Sequence, residues 1–340
     1  MATNWLRRLK ADPTDWLVHH EDPMVRSRAL TWILDRPESD PQVRAARREA
    51  ARHPRIEQLL AGQAPNGSWE DPARFVTDYY FGTAWRLCLA AQLGADRSEE
   101  VRRGIEFLFS VSQSRAGGGF SRDGNPRQGG VLDGQWACLT GALVEMLAQF
   151  GYGQDTRTHR AIGFLVSRQQ SNGLYPCENF QPNASTLPFH CYMGSVKPLL
   201  AVLAIPQERW DPSMRLLAER TARALLTYRL HLYKRAADGR PAPKQDWLDF
   251  GFPRFWNTDL LEVAWVLARL GHGARPELEP ALSIILERQL KNGRWRLEYD
   301  YSLRLPIRIE KHPGSSPWIT LRALHTLKLA SRVAESLQPA

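Results

Sequence analysis

The sequence predicts an all-α fold built as an array of one helical unit. Three observations carry this reading. A short phrase recurs as Gln63-Ala-Pro-Asn-Gly67-Ser-Trp69, Gln169-Gln-Ser-Asn-Gly173-Leu-Tyr175 and Gln289-Leu-Lys-Asn-Gly293-Arg-Trp295, and recurrence at a long fixed step marks a repeat architecture. Nearly every segment places its apolar residues at the helical period. Strand signals, meaning valine-rich alternating runs bounded by turns, are almost absent.

The spacing sets the size of the unit. Gly67 to Gly173 is 106 residues, two steps of 53, and Gly117-Gly118-Gly119-Phe120 falls at the midpoint after Gln113. Gly173 to Gly293 is 120 residues, with Asp238-Gly239 between them in a longer loop. In each phrase Asn-Gly tolerates positive φ, so the helix stops and the chain turns. The aromatic residue covers the helix end, and the Gln bonds freed backbone groups of the same turn. The phrase therefore builds scaffold and carries no chemistry of its own.

Two kinds of helix alternate between these turns. Amphipathic segments rich in Arg and Glu are expected at 41–60, 99–112, 156–170, 212–230 and 276–290. More evenly apolar segments are expected at 24–34, 77–93, 133–150, 191–204, 257–270 and 317–330. A helix apolar all round is buried on both sides, so the second set is inner and the first outer. Such an alternation closes into an α/α toroid or opens into a superhelical solenoid. We expect one domain over 1–340, with 1–60 completing the ring and 61–335 carrying the repeats. Two long loops, 233–255 and 298–317, lie where inner helices begin; loops of this length tend to be functional, and in a toroid that end is expected to open the central cavity.

Composition narrows the class. With 340 residues, 43% hydrophobic and 24% charged, the chain has a globular balance and ample core. Four Cys are too few for a secreted disulfide framework. The N-terminal segment has no signal-peptide pattern and no apolar run is long enough to span a bilayer, so a cytoplasmic protein without stable membrane insertion is expected. The net charge of +9 comes from Arg scattered along helices. With no dense basic block and no nucleic-acid motif, solvated helix faces explain it better than a nucleic-acid partner.

Gln-x-x-x-Gly-x-Trp on alternating helices resembles the QW motif of the terpene cyclase and prenyltransferase-like toroid superfamily, across residues 55–330, and is similar to a bacterial terpene-cyclase-like branch of about this size. The resemblance implies an (α/α)6 toroid and a small, largely apolar, often isoprenoid substrate in an aromatic-lined cavity. Class II cyclases of that family protonate substrate with Asp-x-Asp-Asp, and Asp246-Trp-Leu-Asp249 and Asp300 do not supply it. A magnesium-binding Asp-Asp-x-x-Asp is also absent from the sequence. Protein prenyltransferases hold zinc with Asp, Cys and His. Gly118-Gly119-Phe120, Asp133 and His190 fall on matching positions, but Gln135 stands where that family has Cys, and Cys138 lies one turn on. His190-Cys191 also echoes the adjacent ligands of lanthionine-forming toroids.

Read from the residues alone, Cys138, Cys177 and Cys191 cluster in one stretch. Cys138 is in the first turns of one inner helix, Cys191 begins the next, and Cys177 lies in the loop between. Three thiolates with His190 or Asp133 would suit tetrahedral zinc, and helix N-termini favour thiolate. Buried Cys is also a common small core residue, the reading given to Cys88. Asp133 and Asp259 are the candidate carboxylates for a metal-free cyclase, which would need an acid whose pKa burial has raised. Trp136, Trp256, Trp318, Tyr79 and Tyr80 are the candidate aromatic lining, able to face cations with their π surfaces. A non-catalytic toroid binding a lipid or a protein through its rim is the remaining alternative.

Overall fold

The computed structural model describes the chain except residues 1–3, 70, 77–79, 178–190, 228–229, 231–233, 236–240, 243–244, 301–303, 311–312 and 337–340. Four short helices come first: α1 (Thr14–Val18), α2 (Pro23–Arg28), α3 (Pro41–Ala51) and α4 (Pro54–Leu60). The repeats contribute α5 (Thr83–Gln92), α6 (Glu99–Val111), α7 (Ala137–Gln149), α8 (Thr156–Arg168), α9 (Tyr192–Leu203) and α10 (Pro212–Thr227). They continue with α11 (Gln245–Leu248), α12 (Leu260–Leu267), α13 (Glu279–Glu287) and α14 (Pro317–Ser336). A π-helical turn extends α2 over Ala29–Ile33 and another extends α12 over Ala268–His272. Among the described residues, strand is confined to two-residue pairs.

The two predicted kinds of helix are both present. Outer α6 starts on the Ser98 cap, carries Glu99 and Glu100 in its first turn where the helix dipole favours them, and buries Val101, Ile105, Leu108 and Val111 on one stripe. Inner α7 buries nine of its residues, spread over all sides. The inner helices meet in sequence order: α5 packs on α7, α7 on α9, α9 on α12, α12 on α14, and α14 on α2 and its π-helical extension. Met24 of α2 lies at Gly94, at the end of α5, which closes the ring. Helices α7 and α9 come closest because Gly141 has no side chain: a Cβ there would stand 2.4 Å from the Lys197 carbonyl carbon. The fold is an all-α toroid.

Some boundaries move inward from the sequence expectation. The third inner helix starts at Ala137 rather than 133, since Leu132–Gly134 forms a 3-10 turn. The fifth starts at Leu260 rather than 257, since Asp259 is its N-cap. The second starts at Thr83 after Gly82, leaving the predicted start at 77 outside the described residues.

The repeated phrase does more than stop helices. Gln63, Gln113, Gln169 and Gln289 each donate through Nε2 to the carbonyl of their own turn glycine, at 3.0, 2.8, 3.5 and 2.8 Å. The same amides donate to a carbonyl of the next unit: Glu100 at 2.7 Å, Arg157 at 2.7 Å, Leu217 at 3.0 Å and Ala11 at 2.9 Å. Gly67, Gly118, Gly173 and Gly293 have φ between 79° and 90°. A Cβ at any of them would press on the backbone carbonyl of Arg103, Arg160, Arg220 or Ala11. The following aromatic donates its backbone N–H to a hydroxyl on the inner helix: Trp69 to Thr83, Phe120 to Thr140, Tyr175 to Ser195 and Trp295 to Thr320, at 2.9 to 3.2 Å. The side chains of Trp69, Tyr175 and Trp295 reach back to carbonyls of Leu60, Leu165 and Ile285. One turn therefore joins an outer helix, the next outer helix and an inner helix. Asp238-Gly239 lies outside the described residues.

Replacing Trp295, which is fully buried, with Ala is expected to lower stability by about 3–5 kcal/mol through lost packing and a lost cap. Chemical denaturation measures this; an unchanged midpoint would show that the turn aromatic is not structural.

Candidate active site in the ring interior

The end of the ring where inner helices begin is occupied by the segment from Phe250 to Thr258 instead of standing open. Phe250, Phe252 and Phe255 are buried. The Gln92 amide bonds both backbone groups of Arg254, at 2.7 and 3.2 Å, and so draws the loop down along α5. Around it lies an aromatic tier. Tyr80 stacks on Phe255 with centroids 4.2 Å apart, and Trp256 contacts Trp85 at 5.2 Å and Trp136 at 5.5 Å. Burial pushes the Tyr80 phenol up to about 12, although a hydrogen bond with the Trp256 side chain opposes this. Trp136, Trp256 and Tyr80 thus stand together in one aromatic tier. Trp318 belongs to a separate stack, parallel to Phe252 at 4.2 Å and beneath the Arg28 guanidinium. Tyr79 lies outside the described residues.

Below the aromatic tier the interior is charged. Lys197 on α9 donates to Glu262 on α12 at 2.7 Å, both fully buried, and Arg322 on α14 approaches the other Glu262 oxygen at 3.7 Å. Burial works against the Glu262 charge, but Lys197 and Arg322 outweigh it and hold the carboxyl below its usual range. Glu145 on α7 points the other way. Burial pushes its carboxyl up, Glu262 adds to this, and Lys197, Arg269 and Arg322 only partly offset it. It receives a 3.4 Å hydrogen bond from Gln149 and lines a small cleft with Cys88, Gln92, Ala142, Met146 and Arg254. The Cys88 thiol there is pushed up by burial, in keeping with its expected core role. Glu145 stays half-buried: it is deep in the ring and still borders open space.

The predicted carboxylates do not take this position. Asp133 is exposed in the 3-10 turn before α7. Asp259 is fully buried but engaged: it caps α12 through the Glu262 N–H at 2.7 Å, accepts from the Gly251 N–H at 3.1 Å and pairs with Arg254. An acid held this way by three donors is a structural anchor, and the proton-donor expectation for both Asp residues is corrected.

The cysteines do gather. Cys191 caps α9, with its Sγ accepting from the Gly194 N–H at 3.3 Å. A hydrogen bond with Cys177, then burial, then the neighbouring Cys138 push its thiol well up. Among the described residues, no three His, Cys, Asp or Glu side chains stand where one metal ion could be held. His190 of the zinc expectation lies outside the described residues.

Glu145, Lys197, Glu262, Arg28 and Arg322 were missed by sequence reasoning, although a signal existed. Each of the first three and Arg322 is a lone charge inside an apolar inner helix, as in Leu143-Val144-Glu145-Met146-Leu147 and Leu260-Leu261-Glu262-Val263. Such a charge is expensive unless paired or functional.

No family model matches the chain. It is 29% identical over 150 residues to lanosterol synthase erg7A of Aspergillus fumigatus; the match takes in 42% of this chain and 19% of that protein. Among solved structures it is similar to the type II terpene cyclase MstE from Scytonema, at 16% identity over 92% of this chain and 89% of that one, with a TM-score of 0.47. A protein from Actinoplanes gives 16% identity over 98% and 100% of the two chains, with a TM-score of 0.45. Among the described residues, no helix is long and apolar enough to cross a membrane.

A second buried acid lies away from the interior. Ser316 donates to Glu310 Oε1 at 3.1 Å, while Oε2 is buried without a partner. Burial pushes this carboxyl up to about 8, with Asp22 and Asp300 adding to the rise. The folded state then holds a proton that the unfolded chain releases near 4.5, so this stabilisation is complete below that pH and lost as pH rises through about 8. The melting temperature of the parent is expected to fall across this window relative to Glu310→Gln. Parallel melting curves for the two proteins would contradict it.

Proposed function

We propose that the chain is an acid-initiated cyclase or isomerase of small, largely apolar, isoprenoid-like molecules, with Glu145 as the proton donor and the ring interior as the reaction space. The observation that carries this reading is the half-buried Glu145 carboxyl, driven toward its neutral form inside the ring. A carboxylic acid kept protonated at neutral pH can give its proton to a double bond, and such tuning by burial is how one carboxyl does acid chemistry there. The cation formed on the substrate needs electron-rich faces, and Trp85, Trp136, Trp256 and Tyr80 supply them one tier above. Loss of a proton back to the Glu145 carboxylate would close the cycle, so that substrate and product are isomers. The partial likeness to a lanosterol synthase is in line with this class.

The loop from Phe250 to Thr258 fills the aromatic end, so substrate entry there requires it to withdraw. Its hold on Gln92 and Trp318 makes it the gate in this reading.

The test is turnover on linear isoprenoids of increasing length, followed by mass spectrometry for isomeric products. Glu145→Gln, nearly isosteric, is expected to cut turnover by about 10²-fold or more with the fold intact. Parent turnover is expected to decline as pH rises through the raised pKa of Glu145, because the acid form is lost. Glu145→Gln turning over as fast as the parent would remove the acid from the mechanism. Saturable binding of isoprenoids without any conversion would replace the enzyme with a lipid-binding toroid.

A further inference from the structure

Two carboxyls compete for one ammonium in the ring interior. Lys197 leaves α9 at the place where that helix comes closest to α7: a Cβ at Gly141 would stand 2.8 Å from the Lys197 Cβ. Glu145 follows Gly141 by one helical turn, on the same face of α7. A lysine stem reaches about as far as one turn, so Glu145 is within range of the ammonium. After burial, the Lys197 charge acts on Glu145 more strongly than any other. The ammonium nevertheless turns away from α7 and donates to Glu262 on α12 at 2.7 Å.

Glu262 is equipped to win this competition. It sits in the first turn of α12, with its own N–H held by the Asp259 cap at 2.7 Å. Arg322 approaches its second oxygen at 3.7 Å, and a hydrogen bond with the Thr258 side chain also favours its charge. The donor to Glu145 is the neutral Gln149 amide, at 3.4 Å. The other charges around Glu145 are fixed elsewhere. Arg28 of α2 lies 5.2 Å from the ring centres of Trp32 and Trp318. Arg269 beyond α12 and Arg322 of α14 lie 4.6 and 5.2 Å from that of Trp265. Cys88 of α5 and Arg254 of the loop line the Glu145 cleft, where Arg254 pairs with Asp259. Lys197, on its unbranched stem, is thus the cation able to change carboxyls. A fully buried ion pair is weak evidence for stability, so the Lys197–Glu262 pair calls for another role.

We propose that Glu262 is a positioning residue for Glu145: by holding the Lys197 ammonium on α12, it keeps that ammonium from pairing with the Glu145 carboxyl on α7. A carboxyl in contact with an ammonium ionises, and an ionised Glu145 has no proton to give. Glu262 touches neither the aromatic tier nor the reaction space and acts through Lys197. Its effect on turnover rests on the reading of Glu145 as the acid. The capture of the ammonium does not, because the state of Glu145 can be read without any substrate.

The experiment is a carbon-13 NMR titration of the full chain labelled at the glutamate carboxyls, with the Glu145 resonance assigned by its loss in Glu145→Gln. In Glu262→Gln the Glu145 midpoint is expected to fall by about one pH unit or more, and the alkaline limb of turnover to fall with it. Adding Lys197→Met to Glu262→Gln is expected to recover at least half of that fall. A purely structural ion pair would leave the Glu145 midpoint where it is in the parent, and that result overturns the proposal. So does a fall that persists undiminished in the double variant, because the ammonium would then not be its cause. The parent alone supplies a second check that needs no variant to fold. Crystal structures on either side of the Glu145 midpoint should both keep the Lys197 ammonium on Glu262, and an ammonium that crosses to ionised Glu145 overturns the proposal. The two readings fail separately. A lowered midpoint in Glu262→Gln together with a fully active Glu145→Gln removes the acid and keeps the positioning; an unmoved midpoint with an inactive Glu145→Gln removes the positioning and keeps the acid.

Discussion

One side-chain amide per unit fixes the geometry of this ring. A glutamine at the end of an outer helix spans its own turn and a carbonyl of the next unit. It can do so only because the turn glycine adopts positive φ and presents no Cβ to the neighbouring carbonyl. The amide satisfies backbone groups that a helix end and a following helix start would otherwise leave exposed. The same contact thus sets both where a helix stops and how far away the next one stands. Inner helices are then registered by a single hydroxyl that accepts from the turn aromatic. Everything in the interior, including which charges face each other, depends on that registration.

The scaffold was legible because it repeats. Gln, Gly and an aromatic at fixed offsets, between helices of alternating polarity, could be read as a ring element without knowing any contact. The bridging bond to the next unit was not legible, since it joins residues dozens of positions apart, and the phrase read only as a local helix stop. Within the site, Trp136, Trp256 and Tyr80 were legible as aromatic residues near inner-helix starts. Asp133 and Asp259 failed for opposite reasons. A carboxylate beside a helix start is by default a surface residue or a cap, and each became one of these. Glu145, Lys197 and Arg322 were passed over because the apolar run around each defined the helix so strongly that the interrupting charge was read as noise.

The interior resolves into two media. Near the helix starts, stacked rings and buried phenylalanines make a low-polarity space in which a cation would be met by π faces. One or two turns further in, guanidinium, ammonium and carboxyl groups face one another with positive charge in excess. The Glu145 carboxyl, which burial pushes toward its neutral form, stands between these media on α7. Its elevated pKa follows from burial, and the cations beside it keep that elevation from becoming larger. The loop from Phe250 to Thr258 separates the aromatic medium from the outside, tied at Arg254 to both Gln92 and Asp259.

The ring closes on itself through the same device that links its neighbours. Gln289 bonds the carbonyl of Ala11, 278 positions away, with the same glycine clash and the same geometry as the internal junctions. The seam therefore uses the same amide and glycine device as the joints at Gln63, Gln113 and Gln169. What differs at the seam is the very high sequence separation of the segments it pairs. Bringing such distant segments together carries a larger loop-closure cost than a local contact does, so the full set of opposing charges in the interior depends on a contact that the rest of the ring must offset.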